Sequence, residues 1–130
     1  VWPEGVTRVG NNVFRDTKLT SVTIPEGVKL ICVSSFSGCS SLTSVTIPEG
    51  VTSIGNTSFG DCSALTSVTI PEGVKSLGDG VFAGCSKLNP LLVPNTVTTI
   101  GVIAFNGVPK VIYSGSAPGS PWGAKEVAAS

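Results

Sequence analysis

The 130-residue chain contains no histidine. That removes imidazole general bases, His-containing triads and His metal ligands together. Serine is plentiful, but no recognisable motif supplies it with a basic partner. Nucleophile, base and oxyanion donors therefore do not assemble, and the chain reads as a non-enzyme that needs no cofactor. Methionine is also absent, and the sequence opens inside a repeat with nothing that reads as a signal peptide. It is expected to be an excised piece or a mature fragment. Charged residues are sparse, at 12%, and eight basic side chains balance eight acidic ones along the chain. No basic patch exists to grip nucleic acid or an anionic membrane. No apolar run approaches the roughly 20 residues of a membrane span, so membrane insertion is not expected. Aromatic residues make up only 6%. Any core must therefore be built from Val, Ile and Leu with a few Phe, types that favour strands.

What is present is a repeat. Leu19-Thr-Ser-Val-Thr-Ile-Pro-Glu-Gly-Val28 returns at Leu42–Val51 and at Leu65–Val74, each time 23 residues on. A weaker copy begins at Leu88, where Pro94-Asn95-Thr96 stands for Pro-Glu-Gly, and Val1-Trp2-Pro3-Glu4-Gly5-Val6 opens the chain as the second half of a copy one residue shorter. A unit this short cannot bury its own apolar column, whereas a neighbour stacked at strand spacing can. The expected architecture is an all-β-dominated repeat solenoid of four full coils with a partial coil at each end.

In the third copy the apolar positions are Leu65, Val68, Ile70, Val74, Leu77, Phe82 and Cys85. Val68 and Ile70 alternate with Ser67 and Thr69, which predicts a strand with Val and Ile inward. Pro71-Glu72-Gly73 predicts a turn, followed by a second short strand through Val74–Leu77. Asp79–Gly84 lacks alternation, and a single helical turn dropping Phe82 inward is the simplest expectation. The column Gly38, Asp61, Gly84, Gly107 predicts a left-handed backbone, which Gly and Asp tolerate.

The last unit aligns Val108, Val111 and Tyr113 with Leu88, Leu91 and Val93, three residues short of the regular spacing. Residues 1–113 are thus read as solenoid and 114–130 as a cap or tail, in which Trp122 is expected to cover the last coil and Trp2 partly the first.

Leu-Thr-Ser-Val-Thr-Ile-Pro-Glu-Gly-Val, followed by Ile54-Gly55, Ser58-Phe59 and Cys62, resembles the BspA-like leucine-rich repeat family over residues 1 to about 113. The ending Tyr113 to Lys125 is similar to the ends of such proteins in anaerobic, host-associated bacteria. The resemblance implies a right-handed leucine-rich-repeat coil, surface display or secretion by a bacterium, and adhesion to host matrix or bacterial surface proteins. It implies no catalytic residue. The alternative is a carbohydrate-binding or structural spacer domain of a larger secreted enzyme or cell-wall protein. Cys32 departs from the pattern, standing where Gly10, Gly55, Gly78 and Gly101 occur in the other copies.

Candidate binding residues lie on the outward face of the first strand. Ser21, Ser44 and Ser67 form one column and Thr23, Thr46 and Thr69 another. Such a hydroxyl grid suits a protein partner, a glycan or even ice, but it is also what strand propensity and solubility alone produce. Toward the C-terminus the same columns become Pro90 with Leu92, then Lys110 with Ile112. An apolar patch on a polar sheet marks a contact surface, either for a partner or for the tail folding back. Cys39, Cys62 and Cys85 share an inward column whose spacing would permit a disulfide, yet burial as small hydrophobes is the simpler reading. A zinc site lacks the required pairs. Glu4, Glu26, Glu49 and Glu72 repeat at the turn; they read as solvated turn residues rather than calcium ligands, which must converge from several directions.

Overall fold

The apolar columns, alternating with Ser and Thr in the regular copies, fold the described residues into eleven short strands, β1 Arg8–Val9, β2 Ser21–Thr23, β3 Leu30–Ile31, β4 Ser44–Thr46, β5 Ser53–Ile54, β6 Ser67–Thr69, β7 Ser76–Leu77, β8 Leu91–Leu92, β9 Thr99–Ile100, β10 Val111–Ile112 and β11 Val127–Ala128. The computed structural model describes residues 2–130; Val1 lies outside it. Each coil contributes one strand to a five-stranded sheet ordered β1-β3-β5-β7-β9. The other strands form two three-stranded sheets, β2-β4-β6 and β8-β10-β11. Pairing among the described strands is parallel, and in β1–β7 and β9 it keeps the register the repeat dictates: Ser21 beside Ser44 beside Ser67, Ile31 beside Ile54 beside Leu77. The result is a parallel β-solenoid.

The helical turn expected over Asp79–Gly84 does not form. The N–H groups of Gly80, Phe82 and Gly84 donate to the carbonyls of Val102, Ala104 and Asn106 in the next coil, at 3.0, 2.8 and 2.8 Å. Those of Val81, Ala83 and Cys85 bond back three residues, to Gly78, Gly80 and Phe82. A helix would keep every N–H within its own turn. Here every second one joins neighbouring coils, so the turn side is a third ladder. Gly80 and Gly84 adopt φ of 60° and 82°, and left-handed backbone recurs at the matching pairs Asn12 and Asp16, Ser34 and Gly38, Thr57 and Asp61, and Ile103 and Gly107. The Gly38/Asp61/Gly84/Gly107 column is left-handed as its composition indicates; its companion four residues earlier is a second one.

Three ladders enclose the core. Val28, Val51, Val74 and Val97 are fully buried, as are Leu42, Leu65, Phe36, Phe59, Phe82 and Phe105. Each buried side chain of this size contributes about 1.5–3 kcal/mol. The phenylalanine rings form a spine. Phe14, Phe36, Phe59 and Phe82 stack at 5.2, 5.2 and 5.4 Å between centroids, and Phe105 follows at 6.5 Å. Trp2 meets Phe14 edge-on at one end.

At the other end the tail extends the solenoid. β10 pairs with β8 through Val111–Leu91 and Ile112–Leu92, the shortened register. β11 then pairs with β10. Trp122 and Gly123 accept hydrogen bonds from Phe105 and Gly107 at 2.9 and 3.2 Å. Trp122 is buried, edge-on to Phe105 and Tyr113, and its indole N–H donates to Pro118 O at 2.9 Å. The Tyr113 hydroxyl donates to Val97 O and accepts from Ala117 N. No helix among the described residues is long and apolar enough to cross a membrane.

Candidate functional site

Ser21, Thr23, Ser67 and Thr69 are exposed on the outer face of the β2-β4-β6 sheet, together with Thr46; Ser44 is half-buried. Parallel register brings the six into two straight columns. The hydroxyls differ in commitment. Those of Thr43 and Thr66 are tied to the carbonyls of Thr20 and Thr43, at 3.0 and 3.2 Å. The two outward columns make no such bond among the described residues.

The columns do not run on into the C-terminal residues as the sequence pattern suggests. β6 and β8 are not hydrogen-bonded, and the outer sheet is divided there. Ser67 N–H donates back to Thr43 O at 3.3 Å. Pro90 is next in that column and has no N–H to give, so the ladder stops. Beyond the break, Leu92 is 59% exposed and Ile112 half-buried, side by side on β8 and β10. Lys110 pairs with Glu126 at 3.9 Å, and its carbonyl accepts from Leu91. Pro90 is exposed. A groove of about 370 Å³ opens across the break, bringing Thr69 together with Leu92, Ile112 and Glu72. The tail does not fold over this patch. It lies beside it as β11, with Ser130 hydrogen-bonded to Asn95 and Ser114 at the groove's edge.

The inward polar groups are structural. All four cysteines are free thiols. Cys39, Cys62 and Cys85 sit in the core and direct their sulfurs to the carbonyls of Phe14, Phe36 and Phe59 in the preceding coil, at 3.0, 3.2 and 3.1 Å. Burial pushes the Cys85 thiol up to about 12, and burial followed by the neighbouring thiols raises Cys62 as well. Neither forms a thiolate near neutrality. The fully buried Ser35 and Ser58 each satisfy carbonyls of their own and the preceding coil. Glu4, Glu26, Glu49 and Glu72 are exposed at their turns, and no group of three or more His, Cys, Asp or Glu among the described residues converges as metal ligands would.

Residues 3–114 match the model of the BspA type leucine-rich repeat region, in six copies. The chain belongs to that family. Among solved structures, this BspA-type chain is similar to the T. pallidum leucine-rich repeat protein TpLRR, at 29% identity and a TM-score of 0.78 over 82% of the chain. It is likewise similar to a leucine-rich cell surface protein of Faecalibacterium prausnitzii A2-165, at 27% identity and 0.75 over 88%. The pneumococcal vaccine antigen PcpA superposes at 0.73 over 92% with 19% identity, a likeness of fold. The chain spans 52%, 33% and 30% of those three chains. No curated protein matches it. BspA-type repeats form a protein-interaction architecture, and this family is generally non-catalytic.

Sequence reasoning located the residues of the face but not the groove that divides it. The signal was Pro90 in a strand column, which marks an interrupted ladder.

Proposed function

We propose that the chain is a non-catalytic, extracellular protein-interaction module of a bacterial surface or secreted adhesin, which grips a host matrix or bacterial surface protein with its outer sheet. The carrying observation is the pairing of uncommitted hydroxyl columns with an exposed apolar step at Leu92 and Ile112 across the groove. Hydroxyls supply adaptable hydrogen bonds and the step supplies burial, the usual mixture of an interface core and rim. A glycan reader would array aromatic rings on this face. Here the phenylalanine spine lies inside, which leaves a spacer role as the competing reading.

Surface plasmon resonance against a panel of extracellular-matrix and bacterial surface proteins tests the reading. Saturable binding to a panel member should weaken at least about tenfold in the triple variant Thr46→Glu, Thr69→Glu, Leu92→Glu, as expected when charge is placed in an interface core. Equal binding by a folded variant would remove the face from consideration. No binding to any member would favour the spacer.

A further inference from the structure

The turn side carries three chains of hydrogen-bonded amides running the length of the molecule. The first passes from Asn12 N–H to Val33 O, Ser34 N–H to Asn56 O, Thr57 N–H to Asp79 O and Gly80 N–H to Val102 O. The second and third end on Trp122 O and Gly123 O. The first chain has no such end: among the described residues nothing accepts from the N–H of Ile103. Earlier coils supply their acceptors on alternate residues, Ser35 and Ser37 or Val81 and Ala83, whereas the tail supplies them on adjacent ones, Trp122 and Gly123. The tail thus departs from the alternate spacing, and among the described residues it places no acceptor at the position opposite Ile103. An amide at the end of a bonded chain is polarised by those behind it and is a strong donor.

The side chain at the donor also breaks the repeat, since Ile103 is the one large apolar residue in its column, whereas Val102 has a counterpart in Val33. The Val102 column holds Asn11, Val33, Asn56 and Asp79 in other coils, and the Ile103 column holds Asn12, Ser34, Thr57 and Gly80. Val102 is 71% and Ile103 52% exposed. Ile103 has a φ of 50°, a left-handed backbone that a β-branched residue adopts only under strain. With Ile100, Pro118, Pro121 and Trp122 these two line an open cleft of about 430 Å³ without a charged residue. A neighbouring carboxylate acts against an anionic ligand: Asp79 Oδ1 accepts the N–H of Val102 at 2.8 Å, one residue from the open donor.

We propose that this cleft docks an extended, uncharged, apolar segment of a partner protein. One backbone carbonyl of that segment accepts from Ile103 N–H, and one apolar side chain lies against Val102, Ile103 and Trp122. The segment continues the amide ladder at the position the tail leaves empty, so the coil-on-coil geometry already present specifies its direction. The site is separate from the outer sheet, and either can fail without the other.

The test uses the full chain, labelled with ¹⁵N, and two capped tripeptides, acetyl-Thr-Val-Thr-amide and acetyl-Thr-Asp-Thr-amide. The Val peptide should shift the Ile103 amide downfield in a saturable manner, with a dissociation constant on the order of millimolar for so small a probe, and should slow its hydrogen exchange. The Asp peptide should bind at least about tenfold more weakly, repelled by Asp79. The double variant Val102→Asn, Ile103→Gly uses residues that other coils carry at these columns and should fold. It should lose about tenfold or more in affinity with the apolar contacts. No saturable shift at Ile103 up to the solubility limit of the Val peptide overturns the proposal, as does unchanged affinity in the double variant or tighter binding of the Asp peptide.

Discussion

The indole of Trp122 stands edge-on to the ring of Phe105, centroids 5.8 Å apart and planes at 86°. It ends a column of rings that is nearly parallel from Phe14 to Phe82, and Trp2 closes the opposite end at 67° to Phe14. A stacked ring would present another face to be covered; a perpendicular one does not, and edge-to-face pairing is favourable in its own right.

Trp122→Ala should therefore unfasten the last coil. Removing a buried Trp costs about 3–5 kcal/mol, and the tail loses the indole bond to Pro118 as well. Hydrogen exchange should accelerate from Phe105 onward while the coils of Leu42 and Leu65 keep their protection. Uniform acceleration across the chain would mean that the solenoid unfolds as one unit instead of from its end.

Position along the spine should set the cost of losing a ring. Phe59 is fully buried between two stacked neighbours, whereas Phe14 is only half-buried. Phe59→Ala is expected to destabilise by about 3–5 kcal/mol and Phe14→Ala by less than half of that, because each repeat is held only by its neighbours. Urea denaturation of the two variants gives the comparison directly.

The contrast between Phe59 and Gly80 shows what the sequence could reveal. The inward positions Val68, Ile70, Leu77 and Phe82 are readable from one repeat, because burial imposes a residue type on each column. The path of the turn side is not. Whether Gly80 N–H bonds within its turn or to Val102 depends on a neighbour 22 residues away, and a left-handed column that admits Asn12, Ser34 and Thr57 has no single residue signature. Ser and Thr on the outer face were equally readable, since they alternate with Val. The division of that face was not, because a single proline in the column marks a lost N–H bond and not how far the strands part.

Pro90→Thr returns that N–H. If its absence is what parts β6 from β8, the variant should gain a hydrogen bond to the Leu65 coil, protect the amide at position 90 from exchange and narrow the groove. A gain of about 0.5–1.5 kcal/mol is expected, the net value of one such bond. A variant with an unprotected amide at position 90 would show that another feature holds the strands apart.

Alkali should destabilise the protein through its buried thiols. Cys85 is raised from 9.0 to about 12 by burial, so the folded state holds its proton where the unfolded state has lost it. Its contribution is complete below about pH 9 and falls as pH rises through about 12, by up to about 1.4 kcal/mol per pH unit for each such thiol. Cys85→Ala should flatten that slope in denaturant titrations between pH 9 and 11. In the native protein at neutral pH, a thiol reagent should modify the half-buried Cys32 and spare Cys62 and Cys85.

The amide chains of the turn side give the solenoid a direction. Every N–H in them faces one end and every carbonyl the other, so Asn11, Val13 and Arg15 offer only acceptors at the first coil while Ile103 offers only a donor near the last. A joint between two first coils would set oxygen against oxygen along this side. Tandem arrays engineered from this unit must therefore be spliced in a single orientation, like magnets laid end to end.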